Sequence, residues 1–374
     1  MTFDLHNAID KVADTAREHA IEVDVSGSFP TQMVEAARAA GLLALTTARD
    51  FGGHGRSLRE AGEVIERVAR ECGSSAMVLT MHYAGNAVLE AFGGEAVRRE
   101  VAAGRHLSTL AFSEAGSRSH FWAPLSTAQV DGGEVVLDAK KSWITSASHA
   151  TGYVWSSRPT AGSEASTLWL VPRDAAGLTV AGPFDGLGLR GNDSAPVAAA
   201  GVRIPVKNRL GDDGAGFGIM MTTVLPTFSM LIAAGALGLA EALVQKTAEH
   251  AAGTTYAHIS EQSALRDLPT IRAYVARMRI QVDMAKALWQ DTFTALETGR
   301  EDAPLKVLET KAAAADTAAN VADIAMRVGG GMAFRKEVGV ERRFRDTRAA
   351  LVMAPTSDQL YDFVGKAVTG LPLF

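Results

Sequence analysis

The sequence of 374 residues has little of three features that would assign it to a class at once. It has one cysteine, Cys72, which excludes an internal disulfide and a zinc site built from several cysteines. Its formal net charge is only -5, far from the concentrated positive charge of a general nucleic-acid binder. Its most apolar stretch, residues 230–243, is shorter than the ~20 residues that span a bilayer. We therefore expect a soluble cytoplasmic protein whose partners include neither nucleic acid nor a membrane.

Common catalytic motifs are also missing. FGGHG at residues 51–55 is not a phosphate-binding loop, because no Gly-Lys-Ser/Thr follows it. The sequence contains neither a serine-hydrolase nucleophile motif nor the residue spacing of a metal site, so we expect no bound metal.

The spacing of apolar and turn-forming residues changes twice along the chain, which predicts three domains. Residues 1–106 have helical apolar spacing, as in EVIERVARECGSSAMVLTMHYAGNAVLEAF. Residues 107–212 form short strand-like runs that Gly, Pro and Asp punctuate. Residues 213–374 return to long apolar helices, which indicates an antiparallel bundle. Helices and strands do not alternate, which disfavours a doubly wound nucleotide-binding fold.

Four segments stand out in order along the chain: FGGHG, AFSEAGS at 111–117, KSWIT at 141–145 and VGGGMAF…ERRFRDTRA at 328–349. Together they resemble the acyl-CoA dehydrogenase family of flavoenzymes. The resemblance covers nearly the whole chain. It implies an α+β multi-domain fold with a helical N-terminal domain, a middle β-barrel domain and a C-terminal four-helix bundle. It also implies bound FAD, with FMN as the alternative, and a homo-oligomer built as a dimer of dimers.

The resemblance assigns residues to the cofactor. It places Trp143 along the flavin and Thr145 near flavin N5, because an isoalloxazine needs a flat apolar partner and hydrogen bonds at its polar edge. A tryptophan buried in the barrel core is the alternative interpretation of Trp143. The other cofactor residues that it implies are Phe112, Ser113, Tyr256, Arg327, Gly330, Gly331 and Thr356. The two glycines are also explained by a helix end, and Arg327 stands where the family usually has glutamine.

The sequence departs from the family where a base is expected. Ala354 takes the position at which many members carry the catalytic glutamate, and Phe228 takes the position used by others. Neither an alanine nor a phenylalanine side chain can accept a proton. Pro355 replaces the usual glycine. At the acyl-CoA side Pro226 and Ser229 replace an aspartate and an arginine, and Gly253 replaces the arginine that clamps the FAD pyrophosphate.

Two residues are candidates for a replacement base. His120 follows the flavin segment and ranks first, although a lone histidine is more often a surface residue. Asp358 lies one helical turn beyond Ala354 and ranks second, although acidic residues are common at helix starts. Ser117 and Arg118 are candidate substrate contacts, and Arg118 would meet either an anion or solvent.

The predicted activity is therefore α,β-dehydrogenation of an acyl thioester, carried on CoA or on a carrier protein, with a non-standard base. The sequence does not identify the electron acceptor. A flavin-dependent monooxygenase on the same fold, using reduced flavin and O2, is the first alternative, since it needs no α-proton base. A catalytically degenerate flavin-binding subunit is the second, although the retained flavin residues disfavour it.

Overall fold

The computed structural model describes residues 3–117, 120–163, 165–256 and 263–373. Its N-terminal part is helical, and local capping explains where helices begin. The Asp4 carboxylate accepts the N–H of Asn7 at the start of the first helix, and Ser57 and Glu60 form a reciprocal capping box at the start of the third. The helices are α1 Leu5–Ser26, α2 Thr31–Ala39, α3 Leu58–Glu71, α4 Gly73–Phe92 and α5 Glu95–Ala102.

The middle part consists of two four-stranded sheets with strand orders β1-β4-β5-β8 and β2-β3-β7-β6. The pair β1 and β4 is parallel, and the other pairs are antiparallel. Tyr153, Trp155 and Trp169 are fully buried in the apolar core that the two sheets share. The strands are β1 Ser108–Ala111, β2 Thr127–Asp131, β3 Glu134–Ile144, β4 Gly152–Ser157, β5 Thr167–Pro172, β6 Leu178–Val180, β7 Ala195–Pro205 and β8 Arg209–Leu210.

The C-terminal part is a helical bundle around one long helix. Gly216–Gly253 is apolar and long enough to cross a membrane, but 78% of its most apolar window is buried inside the protein. It is therefore the core helix of the bundle. Its parts are α6 Gly216–Ile219, a π-helix Met220–Val224 and α7 Leu225–Gly253, followed by α8 Pro269–Thr298, α9 Ala303–Gly329, α10 Val340–Val352 and α11 Ser357–Val368.

Polar contacts fix the parts to one another. Lys286 of α8 lies 2.9 Å from Glu66 of α3 and 2.8 Å from Glu241 of α7. Arg345 of α10 pairs with Asp24 of α1 at 2.6 Å. Because these pairs bridge helices that are distant in sequence, they hold the N-terminal helices against the bundle.

Candidate active site

The structure brings two of the resembling segments side by side. AFSEAGS continues from β1, and KSWIT forms the end of β3 and the residues after it. The Ser142 N–H donates to the Ser113 carbonyl at 2.9 Å, and Glu114 forms an isolated bridge with Lys141. Two stretches that are about 30 residues apart in the sequence therefore form one edge of the middle domain.

A buried ion pair locks this edge. Lys141 Nζ lies 2.6 Å from Glu114 and also donates to the Ser156 carbonyl at 2.7 Å. Glu114 accepts the backbone N–H groups of Leu125 and Ser126 at 2.6 and 3.0 Å. Burial lowers the pKa of Lys141 to about 8, although Glu114 opposes the shift. Burial alone would raise the pKa of Glu114, but Lys141 and these hydrogen bonds bring it below its usual value.

Trp143 lies just beyond this pair and is 71% exposed. The alternative of a core tryptophan is therefore wrong for this residue. Its φ of 57° is one of four positive values found at non-glycine residues in the described chain, with Ser146, Leu189 and Asp193. All four lie in two neighbouring segments, which the hydrogen bond from Ser146 N–H to the Asn192 carbonyl joins at 2.9 Å. Such strained backbone clusters at functional sites.

The exposed face of Trp143 fits an isoalloxazine ring, which needs a flat apolar partner. Its described aromatic contact is edge-on to Phe184, with centroids 6.3 Å apart. Thr145 is 2% exposed, with its hydroxyl 3.4 Å from that of Ser194. Phe112 is buried and stacks on Phe121 at 6.5 Å, so its ring presents no open face to a ligand. Ser113 is half-buried at the edge.

A second group of predicted cofactor residues lies elsewhere, at the end of α9. Tyr256 packs with Tyr274 and Val328, and the exposed Arg327 guanidinium lies 5.7 Å from the centre of the Tyr274 ring. No hydrogen bond or aromatic contact among the described residues joins this group to Trp143. A single protomer therefore does not bring the two predicted halves of the cofactor site into contact.

The glycines of this second group have open surroundings. A Cβ on Gly331 or on Gly253 would meet no atom within 4 Å, whereas Gly330 has a φ of +52° that favours glycine. Backbone conformation therefore explains glycine at position 330, and no neighbouring atom of the described residues explains it at position 331 or 253. Thr356 is separated from this group by α10 and lies after the end of that helix. Its hydroxyl caps α11 by accepting the Gln359 N–H at 3.3 Å.

A buried lysine forms hydrogen bonds with the backbone of the loop that carries Ala354. Lys311 of α9 is fully buried and donates to the carbonyls of Met353 and Pro355 at 3.0 and 2.6 Å. Burial lowers the pKa of Lys311 to about 7. Ala354 and Phe228, the two positions where the family carries its base, both pack against the main apolar core. Both positions at which the family carries its base are therefore occupied by apolar side chains in this chain.

Both predicted replacement bases are exposed, and only Asp358 lies near this loop in the sequence. His120 meets the edge of Trp122, with centroids 5.1 Å apart, and Trp122 in turn lies 6.5 Å from Phe363 of α11. Asp358 lies in the first turn of α11. Neither side chain makes a hydrogen bond to another described residue. Ser117 is buried and donates to the Glu114 carbonyl at 3.2 Å, and Arg118 lies outside the described residues.

Sequence reasoning missed Lys311 and a cavity of about 30 Å³ between α4, α7 and α10. Lys311 could have been noticed in the sequence as a lone lysine within the alanine-rich stretch of α9. The cavity could have been suspected from small residues at helical spacing. It is lined mostly by apolar side chains, and its two polar residues are Thr80 and Asp346.

Comparisons with known proteins agree with this architecture. Family models for the N-terminal, middle and C-terminal domains of acyl-CoA dehydrogenase match residues 5–104, 109–202 and 214–369. A probable acyl-CoA dehydrogenase of Bacillus subtilis, YngJ, is 28% identical over 355 residues, which cover 91% of this chain and 90% of that protein. The short-chain specific mitochondrial acyl-CoA dehydrogenase of Bos taurus is 29% identical over 351 residues, which cover 91% and 82%.

A solved structure extends the agreement to the fold. Butyryl-CoA dehydrogenase from Megasphaera elsdenii has a TM-score of 0.90 at 20% identity, covering 99% of this chain and 100% of that chain. Helical, sheet and helical-bundle parts, with an exposed aromatic face at the sheet edge, define an acyl-CoA dehydrogenase type of fold. The chain belongs to the acyl-CoA dehydrogenase family, whose members are flavin-dependent oxidoreductases that act on CH–CH groups. The predicted family and three-part fold are thereby confirmed.

Proposed function

We propose that the protein is a flavin-dependent dehydrogenase that introduces an α,β double bond into an acyl thioester carried on CoA or on a carrier protein. The observation that carries this proposal is the exposed Trp143 on strained backbone, at the edge formed by the two segments that resemble flavin contacts. The open face of this ring is the flat apolar surface on which an isoalloxazine can stack. FAD is the proposed cofactor, with FMN as the alternative.

The chain's own residues would divide the work as follows. FAD, when bound, supplies the hydride acceptor for the β-carbon. Trp143 would orient the ring, and Thr145 would bond its polar edge. Lys311 would hold the loop of Ala354 at a fixed distance from the thioester, since it binds the carbonyls on both sides of that residue. His120 is the first candidate for the base that would accept the α-proton, and Asp358 is the second. Ser117 and Arg118 would flank the substrate.

Assembly would complete the cofactor site. We propose a cytoplasmic homo-oligomer, built as a dimer of dimers, in which Tyr256, Arg327, Gly330 and Gly331 serve the dinucleotide half of the cofactor held by a neighbouring subunit. The open surroundings of Gly331 support this, because no atom of the described residues lies within 4 Å of the position of a Cβ there. A second copy or a cofactor approaching the backbone would account for the glycine. The exposed position of Arg327 suits the same contact.

One observation favours a second candidate, a flavin-dependent monooxygenase that uses reduced flavin and O2. Ala354 and Phe228 leave both family base positions apolar, and oxygenation requires no α-proton acceptor. A catalytically degenerate flavin-binding subunit is a further alternative, and no observation in the structure favours it over an enzyme.

Anaerobic titration of the purified holoprotein with a panel of acyl-CoAs tests the proposal. We expect the visible absorbance of the oxidised flavin to bleach with at least one thioester, and His120→Ala or Asp358→Asn to slow the bleaching. Trp143→Ala, compared with Trp143→Phe, tests flavin retention independently of turnover. No bleaching with any thioester, together with substrate oxygenation when reduced flavin and O2 are supplied, would move the protein to the monooxygenase class.

A further inference from the structure

Trp143 stands on a β-bulge near the end of β3. The pairing of β3 with β7 shifts between Lys141 and Ile144, where β3 has one residue more than its partner strand. A bulge of this kind changes the direction in which a strand presents a side chain. The positive φ of Trp143 falls within it. The orientation of this exposed ring therefore depends on what holds the chain on either side of the bulge.

Beyond the bulge, the carboxylate of Asp193 holds the turn at residues 145–149. Its Oδ2 accepts the backbone N–H of Ser148 at 2.7 Å and lies 2.8 Å from Nδ1 of His149. Since a carboxylate oxygen only accepts hydrogen bonds, Nδ1 of His149 is the donor. The Ser148 hydroxyl donates to Oδ1 of Asp193 at 3.3 Å. Three groups of the turn are therefore bonded to one side chain.

The backbone of Asp193 contacts the same turn. Its carbonyl accepts the N–H of Ala147 at 3.0 Å, next to the bond between Ser146 and Asn192 described above. Asp193 has a φ of 52°, which aspartate and asparagine adopt more readily than other non-glycine residues. An aspartate at this position therefore supplies both the backbone conformation and the carboxylate that hold the turn.

The His149 ring connects the turn to the N-terminal helices. It stacks on Phe29, which lies between α1 and α2, with centroids 4.0 Å apart and ring planes 3° apart. Arg190, on the same segment as Asp193, makes a second connection by donating to the Asp24 carbonyl of α1 at 2.9 Å. The bond between Nδ1 of His149 and Asp193 therefore couples the turn to a surface that the N-terminal domain fixes.

We propose that Asp193 is a positioning residue for the flavin, which fixes the turn at 145–149 and, through it, the bulge that presents Trp143. The inference rests on the proposed function, because it takes the flavin to stack on Trp143. The side chains of Asp193 and His149 are 17% and 45% exposed, and an ion pair this close to solvent adds little stability. Loss of the carboxylate should therefore change the shape of the flavin site more than the stability of the fold.

Two substitutions separate the carboxylate from the backbone conformation. Asp193→Gly permits the same positive φ and removes the three side-chain hydrogen bonds. Asp193→Asn also tolerates this φ and keeps an oxygen acceptor. We expect Asp193→Gly to weaken FAD binding about 10-fold, the scale of one lost hydrogen bond to a charged group, and to change the visible circular dichroism of the bound flavin. Asp193→Asn should recover part of both.

Two further variants assign the effect. His149→Phe keeps an aromatic ring against Phe29 but removes the bond to Asp193, so it should cause smaller changes of the same kind. Asp185→Ala is the matched control, because Asp185 precedes the same segment, pairs with Arg190 and is 90% exposed. We expect this control to bind FAD with the affinity and the visible spectrum of the wild type.

Equilibrium titration of the full chain with FAD gives the dissociation constants, and thermal unfolding checks that each variant is folded. An Asp193→Gly variant that is less stable but keeps the wild-type affinity and dichroism would show a purely stabilising role and overturn the inference. If Asp193→Gly does not fold, unchanged affinity and dichroism in both Asp193→Asn and His149→Phe would overturn it. A wild type that binds neither FAD nor FMN would overturn the proposed function itself.

Discussion

The ammonium group of Lys141 lies 2.6 Å from the carboxylate of Glu114, and neither side chain is more than 3% exposed. The two residues belong to different segments of the proposed flavin site. Their contact sets the position of Ser113 on one segment and of Trp143 on the other. A buried ion pair seldom adds net stability over apolar residues of similar size, but it penalises the loss of one partner. The pair is therefore suited to fixing geometry.

We predict that Lys141→Met destabilises the protein by about 3–5 kcal/mol, because it leaves the Glu114 carboxylate buried without its counter-ion. Urea unfolding of the two proteins measures the difference in the free energy of unfolding. The double variant Glu114→Gln/Lys141→Met removes both charges and should regain part of the loss. A single variant as stable as the wild type would show that the pair is not coupled in solution.

Lys311 leads to a second prediction, on the pH dependence of stability. Its folded pKa of about 7 lies below the usual 10.5, so the unfolded chain binds more protons between these values. Stability from this group therefore rises with pH above 7 and is lost as pH falls towards 7. We predict that the wild type gains about 2 kcal/mol of unfolding free energy relative to Lys311→Met between pH 7 and pH 9. Parallel pH profiles for the two proteins would contradict this.

Two buried histidines predict a loss of stability in acid. His82 is fully buried; its Nε2 lies 2.8 Å from the Leu43 carbonyl, and its Nδ1 accepts the Ser108 N–H at 3.1 Å. Burial lowers the pKa values of His82 and His106 to about 4. Below pH 6.5 the unfolded chain binds the extra protons, so stability falls as pH drops from about 6.5 to 4.

Unfolding measured across this range checks the prediction. We expect a loss of up to about 3 kcal/mol per histidine, the upper limit set by a shift of two to three pKa units. His82→Gln should flatten the profile, and the exposed His6→Ala should leave it unchanged. An equal slope for wild type and His82→Gln would mean that other groups cause the acid sensitivity.

The sequence predicted the fold better than the site, and particular residues explain the difference. Helical and strand spacing is local, so the three-part architecture could be inferred from it. Trp143 and Thr145 could be proposed as flavin contacts from the sequence because they sit in one short motif. The partnership of Glu114 with Lys141 depends on how β1 and β3 pack, and that of Lys311 with Met353 and Pro355 on how α9 lies under a loop 42 residues away. No local pattern encodes either contact.

The missing pyrophosphate clamp leads to a fourth prediction. A Cβ on Gly253 meets no atom of the described residues within 4 Å, so a side chain can leave the backbone there without a clash at its first atom. If the position corresponds to the family's clamp, Gly253→Arg should strengthen FAD binding about 10-fold or more, because a guanidinium binds phosphate oxygens with charge-assisted bonds. Gly253→Ala is the control, since it adds the Cβ without the charge.

The same assay examines Arg327, which we propose as a partial replacement for that clamp. Arg327→Gln should weaken FAD binding by ~1.5–3 kcal/mol, the scale of a hydrogen bond to a charged group. Equilibrium titration of the apoprotein with FAD gives the dissociation constants. Unchanged affinity in Arg327→Gln would remove this residue from the cofactor site, and unchanged affinity in Gly253→Arg would show that the two positions do not correspond.

The last prediction concerns Ala354. A positioned general base contributes ~10²–10⁴-fold to such a reaction, so a wild type that relies on a less well-placed group should reduce its flavin slowly with butyryl-CoA. Ala354→Glu places a carboxylate on the loop that Lys311 holds, and we expect it to accelerate flavin reduction by about 10²-fold. Ala354→Gln is the control, because it has nearly the same shape and cannot accept the proton. Rapid-mixing absorbance under anaerobic conditions measures both rates. Equal rates for the two variants would show that position 354 does not face the α-carbon, and the search for the base would then move to His120→Ala and Asp358→Asn.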